Sequence, residues 1–141
     1  MVRRFAGSFG STFIYLMVPR VIIFRPEHTK RVLVPKVDFI SAPGISENGV
    51  FRNGGPYALV TQLCVMHFDR KRSRFRLTSV HPHSNIEEIK DNTGFKFDHP
   101  DLVPKTVVPN EGRLLLLRKT ISKEIAKTYP KFAKDAFKAA T

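Results

Sequence analysis

The sequence predicts an α/β fold, an open sheet with helices in which a β-hairpin and a C-terminal helix are the clearest elements. Three observations carry this. Val21-Ile-Ile-Phe24 is short, wholly apolar and β-branched, the pattern of a strand covered on both faces, as in parallel sheets. Residues 57–68 and 75–81 read as two strands joined by the polar turn Asp69-Arg-Lys-Arg-Ser-Arg74. Residues 111–140 place Leu114, Leu117, Ile121 and Ile125 on one helical face. A chain of 141 residues, 42% hydrophobic, is long enough for one small domain with a core. Twelve Phe and no Trp lead to the expectation of a Phe-rich core.

Taken in order, Gly7-Ser-Phe-Gly-Ser11 reads as a loop whose glycines let backbone approach a ligand. Arg3 and Arg4 ahead of the apolar run 12–18 imitate a signal peptide, but Pro19-Arg20 stand where small cleavage-site residues belong. The run is also shorter than the roughly 20 residues a membrane span needs. A cytoplasmic protein without a membrane partner is expected. After the strand 21–24, Arg25-Pro-Glu-His-Thr-Lys30 is a turn. Residues 31–34 and 37–40 are short extended pieces, separated by Pro35 because proline cannot donate to a ladder. Residues 41–56 form a long loop with Pro43, Gly44, Gly49, Gly54 and Gly55, and loops of this length are often functional.

Beyond the hairpin, Ser84 is expected to cap a short helix, with Glu87 at the capping-box position and Ile86 and Ile89 facing inward. Gly94 is the expected left-handed C-cap. Residues 95–109, punctuated by Pro100, Pro104 and Pro109, run extended over the surface. Pro130 breaks or kinks the last helix, which carries Lys119, Lys123, Lys127 and Lys131 on a second face. The expected division is 1–110 and 111–141.

Several residue sets bear on chemistry. A net charge of +12 favours anionic partners such as nucleic acid or phosphate-bearing cofactors, and equally suits a solvated surface or an acidic partner subunit. Cys64 is the only cysteine, so no intrachain disulfide forms, and its apolar surroundings make it a small core residue rather than a nucleophile. His81 and His83, with His67 across the hairpin, suggest a metal, but no Cys or carboxylate completes the set and none is expected. Arg70, Lys71, Arg72, Arg74 and Arg76, interleaved with Phe68 and Phe75, form either a nucleic-acid finger or a solvated tip.

Two blocks go further. Lys36-Val-Asp-Phe-Ile-Ser-Ala-Pro-Gly44, followed by Ser79-Val-His-Pro-His83 running into Ile86-Glu-Glu-Ile-Lys-Asp-Asn-Thr-Gly-Phe95, resembles the C-terminal part of the β subunit of family I CoA-transferases of the glutaconate type. The resemblance covers roughly residues 3–120. It implies an open three-layer sheet of the CoA-transferase type, lacking its N-terminal part. In that family a glutamate attacks an acyl-CoA, and the CoA thiolate returns to form a glutamyl-CoA thioester that a second acid collects. The family's glutamate would precede Met1. Gly7, Ser8 and Gly10 match its Gly-rich loop, whose N–H groups bind CoA or a thioester oxyanion. Ser46-Glu-Asn-Gly49 spells the active-site motif of the related 3-oxoacid CoA-transferases, which would make Glu47 the nucleophile. However, that motif belongs upstream of the Gly-rich loop and here follows it.

The resemblance implies a fragment or split half that contributes to CoA binding and to the interface with an α subunit or the missing half. It also implies coenzyme A as substrate, with no permanently bound cofactor, and a CoA thioester and a carboxylic acid as reactants. A hydrolase of CoA thioesters from the same superfamily is one alternative. A small basic nucleic-acid or partner-binding protein without enzymatic activity is the other. A strand at 21–24 apolar on both faces would leave apolar surface uncovered without a partner.

Overall fold

A computed structural model describes residues 9–47 and 49–137. The chain divides into two compact units, Met1–Thr106 and Val107–Thr141.

The first unit opens with helix α1, Phe9–Met17, and strand β1, Val21–Arg25. The loop expected over 7–11 is therefore helical from Phe9 onward. Gly7 and Ser8 lie outside the described residues. Strands β2 (Pro56–Thr61), β3 (Cys64–Asp69) and β4 (Arg74–Val80) complete a four-stranded sheet in the order β1-β2-β3-β4. β1 pairs parallel to β2, and the other two pairs are antiparallel.

The single strand expected over 57–68 is in fact two strands. Thr61 turns the chain at Gln62-Leu63, its hydroxyl oxygen accepting from the backbone N–H of Leu63 and of Cys64 (3.2 Å each). A threonine side chain closes this turn where glycine or proline would have announced it. Likewise, Asp69 Oδ1 accepts from Lys71 N (2.9 Å) and Arg72 N (3.1 Å) to shape the β3–β4 turn.

Residues 31–33 form a turn rather than an extended piece, Val32 N and Leu33 N both donating to Thr29 O, and 37–40 join no strand, with a bend at Asp38. Helix α2, Ile86–Asn92, is capped by Asn85, whose Oδ1 accepts from Glu88 N (2.8 Å). Ser84 sits one residue outside and donates to the Glu88 carboxylate (2.8 Å). Gly94 is not a left-handed cap: its N–H donates to Leu33 O (2.7 Å), and a Cβ there would overlap that carbonyl. Close approach of two backbones demands the glycine.

One sheet face carries the core. Leu59, Cys64, Met66, Leu77 and Val80 pack with Leu33, Leu63 and Ile89, and Phe75, Phe95, Phe97 and Val103 close the margin. The 95–106 segment runs beside β4 through isolated bridges at Arg76–Asp98 and Val80–Lys105. On β1 the expectation of two covered faces fails. Ile23 joins the core, while Ile22 and Phe24, pointing oppositely, are 61% and 60% exposed. Among the described residues nothing seals that second face.

In the second unit, α3 (Glu111–Leu116) is capped by Asn110, whose Oδ1 accepts from Arg113 N (3.0 Å). It runs through a π-helical turn, Leu117–Ile121, into α4 (Ser122–Thr128). Tyr129 leaves the helical conformation, and α5 (Pro130–Phe137) restarts with proline at its first position. The π turn interrupts the i,i+4 register of the apolar stripe: Leu114 and Ile125 are half-buried, Leu117 and Ile121 exposed.

Candidate functional site

The long loop 41–55 is held at both ends and open in its middle. Gly54 N donates to Leu16 O at the end of α1 (3.0 Å), and a Cβ on Gly54 would overlap that carbonyl. Thr12 on α1 donates from Oγ1 to Ser41 O (2.5 Å). From the hairpin tip, Arg70 reaches back to donate to the carbonyls of Asn53 and Gly54 (3.1 Å each). Gly55 has φ 139°, a conformation that suits glycine, and its carbonyl accepts from Val21 N (3.1 Å). Hence the loop is fastened to α1, the helix whose first turn carries Gly10.

Glu47 lies in the open middle of this loop. It is exposed and lines a cavity of about 340 Å³ with Pro43, Ile45, Ser46, Val50 and Arg52. A carboxylate so placed is accessible to a reactant, but nothing around it is dry. Gly10 falls in the first turn of α1, exposed, with open space where a Cβ would stand. The sequence points to Glu47 and to Gly10 separately. Thr12, Gly54 and Arg70, which position the loop, carry no local signal, because their partners are distant in sequence.

A buried polar cluster lies inside the same unit. His28 Nδ1 is 2.8 Å from Thr61 Oγ1, and Nε2 is 2.9 Å from Thr93 Oγ1. Thr93 donates its own hydroxyl proton to Ile89 O (2.6 Å), so it accepts from His28 Nε2–H, while Thr61 Oγ1 also lies 3.3 Å from Cys64 O, a second acceptor for its proton. Burial lowers the pKa of His28 from the ordinary histidine value. Cys64, 3.9 Å from His28 Nδ1, has its thiol pushed up to about 11 by burial. It is not a nucleophile at neutral pH.

The remaining histidines of the hairpin and its exit are used structurally. His81 donates from Nε2 to Thr61 O (3.0 Å), and His83 from Nε2 to Gln62 O (2.9 Å). His67 packs beside Tyr57 (5.0 Å between centroids). Among the described residues no group of three His, Cys, Asp or Glu could hold a metal. The basic tip is largely engaged within the chain. Arg70 clamps the 41–55 loop, and Arg72 and Arg74 pair with Asp98 (3.2 and 3.3 Å). Those contacts withdraw three of the cations on which a nucleic-acid finger would rely. Among the described residues no helix is long and apolar enough to cross a membrane.

Comparison with known proteins places this geometry. A family profile described as coenzyme A transferase matches residues 2–92. The β subunit of the 3-oxoadipate CoA-transferase of Pseudomonas knackmussii is 34% identical over 104 residues, covering 70% of this chain and 39% of that one. The β subunit of the glutaconate CoA-transferase of Acidaminococcus fermentans is 30% identical over 125 residues, covering 84% and 46%. The crystal structure of that glutaconate enzyme superposes with a TM-score of 0.68 and 30% identity, over 83% of this chain and 46% of that one. The structure of IpdAB from Rhodococcus jostii superposes at 0.64, with 29% identity, over 71% of this chain and 42% of that one. The chain spans less than half the length of these curated relatives. Its four-stranded mixed sheet and its sequence agree: the chain belongs to the coenzyme A transferase family, and its relatives there are the β subunits.

Proposed function

We propose that this chain supplies part of the CoA and acyl-CoA binding surface of a CoA-transferase, and part of the interface with a second polypeptide segment that brings the nucleophile. The observation that carries the reading is the open face of β1. Ile22 and Phe24 project side by side from a strand whose opposite face is core, and large apolar side chains left exposed together mark an interaction surface. An α subunit, or the remainder of a β subunit, is the occupant this reading calls for.

In the reaction, a glutamate carboxylate attacks the thioester carbonyl, the C–S bond breaks and CoA leaves as thiolate. The thiolate then attacks the resulting anhydride at the glutamyl carbon, releasing the first acid. The acceptor carboxylate reverses both steps. The N–H groups of Gly7, Ser8 and Gly10 are the proposed donors to the thioester oxygen or to CoA. Glu47 is exposed and shares its cavity with Arg52, but it lacks the water-excluding surroundings that strengthen a covalent catalyst.

A CoA-transfer assay on the purified chain, alone and with the product of the neighbouring reading frame, tests the reading, with hydroxylamine or borohydride trapping the glutamyl thioester. Activity only with the neighbour, unaffected by Glu47→Ala, is the expected result. Activity of the chain alone that Glu47→Ala abolishes makes Glu47 the nucleophile and sinks the reading. Hydrolysis is a second reading, favoured by the cholesterol ring-cleaving hydrolase IpdB subunit of Mycobacterium tuberculosis, 32% identical over 98 residues, covering 67% of this chain and 39% of that one. Opening of a cyclic acyl-CoA by water, with no acceptor acid required, would select it.

A further inference from the structure

Away from the 41–55 loop and the open face of β1, a cavity of about 340 Å³ is lined by residues from the start of β4, from α2 and from the segment after it. Its wall is Arg74, Lys90, Lys96 and His99 together with the rings of Phe95 and Phe97. The cavities beside Glu47 and Asp69 each include a carboxylate, whereas this wall has none. Arg74 is tied to Asp98 (3.3 Å), which steadies it and offsets its charge. Among the described residues, Lys90 and Lys96 form no ion pair. Two uncompensated ammonium groups around one concavity create a positive field that a bound anion relieves.

The rings add a second requirement. Phe95 and Phe97 are half-buried and braced from behind, Phe95 by Phe75 (6.0 Å between centroids) and both by the core. Their remaining exposed surface is therefore held in place at the mouth of the cavity. Immobile aromatic surface beside cations suits a ligand with a flat apolar body and an anionic group. The volume falls within the range of small-molecule sites, about 300–1,000 Å³.

We propose that this cavity binds a purine mononucleotide, its base against Phe95 and Phe97 and its phosphate toward Lys90 and Lys96. The site goes beyond the transferase reading and does not rest on it. The same chemistry is presented by a free nucleotide and by the nucleotide end of a larger cofactor, coenzyme A included.

The test is calorimetric titration of the full chain with AMP. Saturable binding is expected, weakened about tenfold or more in Lys90→Ala/Lys96→Ala, since a charge-assisted hydrogen bond typically contributes at least that factor. The charge-matched variant Lys119→Ala/Lys123→Ala should bind AMP as the parent does. All four lysines are exposed, and matching circular dichroism melts would show the variants folded. Adenosine alone and inorganic phosphate alone should each bind more weakly than AMP. Displacement of AMP by CoA would identify the cofactor's nucleotide end as occupant, and failure to displace it a free nucleotide. Absence of saturable AMP binding, equal losses in both lysine variants, or phosphate binding as tightly as AMP would each overturn the proposal. None of these readings depends on CoA-transfer activity.

Discussion

Strands β1 and β3 each set one face on the core, and they differ in what the other face carries. β3 lies between β2 and β4, and Cys64 and Met66 are wholly inaccessible. β1 lies at the sheet edge with one face on the core and the other, Ile22 and Phe24, more than half exposed. On β3 the core face is covered by this chain's own α2 and the 95–106 segment, and the outer face carries half-buried Val65 and exposed, polar His67. On β1 the outer face is instead apolar, and the described residues leave Ile22 and Phe24 uncovered. Apolar content alone therefore does not say whether a strand is stabilising the domain or waiting for a partner. Its neighbours in the sheet decide that.

Substitutions at the two strands should separate these roles. Met66→Ala removes a side chain at the centre of the core and is expected to cost roughly 2–5 kcal/mol, read by urea denaturation. If Met66→Ala leaves the midpoint unchanged, the core is not organised around β3. Gly94→Ala tests the clamp that brings α2 against the Leu33 turn. Its Cβ would meet the Leu33 carbonyl, and a loss of about 1–3 kcal/mol is expected in the same measurement.

The His28 cluster sharpens the core side of the comparison through pH. Burial holds the folded-state pKa of His28 below the ordinary 6.5, so the unfolded chain binds more protons as pH falls. Its contribution is complete above about pH 6.5 and declines as pH drops through that value toward the lowered folded-state pKa. The melting temperature should therefore fall between about pH 7 and pH 5.5, and the fall should be shallower in His28→Gln. An equal slope in both proteins would remove His28 from the acid response.

The smallest effect on stability is expected at the open face. Phe24→Ser should change the stability of the chain alone by less than about 0.5 kcal/mol, as for exposed sites generally. If the proposed partner segment covers this face, Phe24→Ser should also weaken its co-purification with the chain. A large destabilisation of the isolated chain would show that the face is already covered and would erase the contrast with β3.

Much of this architecture is legible in the sequence, and the failures have physical causes. The β3–β4 turn, α2, the apolar strand at 21–24 and the break at Pro130 all follow local patterns that the structure keeps. The split between β2 and β3 is hidden because Thr61 closes the turn with its side chain, in a run without glycine, proline or asparagine. The start of α1 is hidden by Gly7 and Gly10, which argue for a loop, although Gly10 is accommodated in a helical turn. At the candidate site, Glu47 and the glycines stand out as motif residues. The fastening of their loop by Leu16 and Arg70 does not, since neither contact is local.

Hydrophobic periodicity, cap residues and composition are properties of neighbouring residues. They determined the class of fold, the strand at 21–24, the β3–β4 turn and α2, while the likeness to CoA-transferase subunits rests on the two motif blocks at 36–44 and 79–95. Tertiary structure decided the rest. His28 meets Thr61 and Thr93 across separations of 33 and 65 residues, Arg70 meets Asn53 across 17, and one face of β1 stays open. Such contacts depend on sheet order and register, which bring distant side chains together only after the chain has closed, and no window of sequence contains both partners.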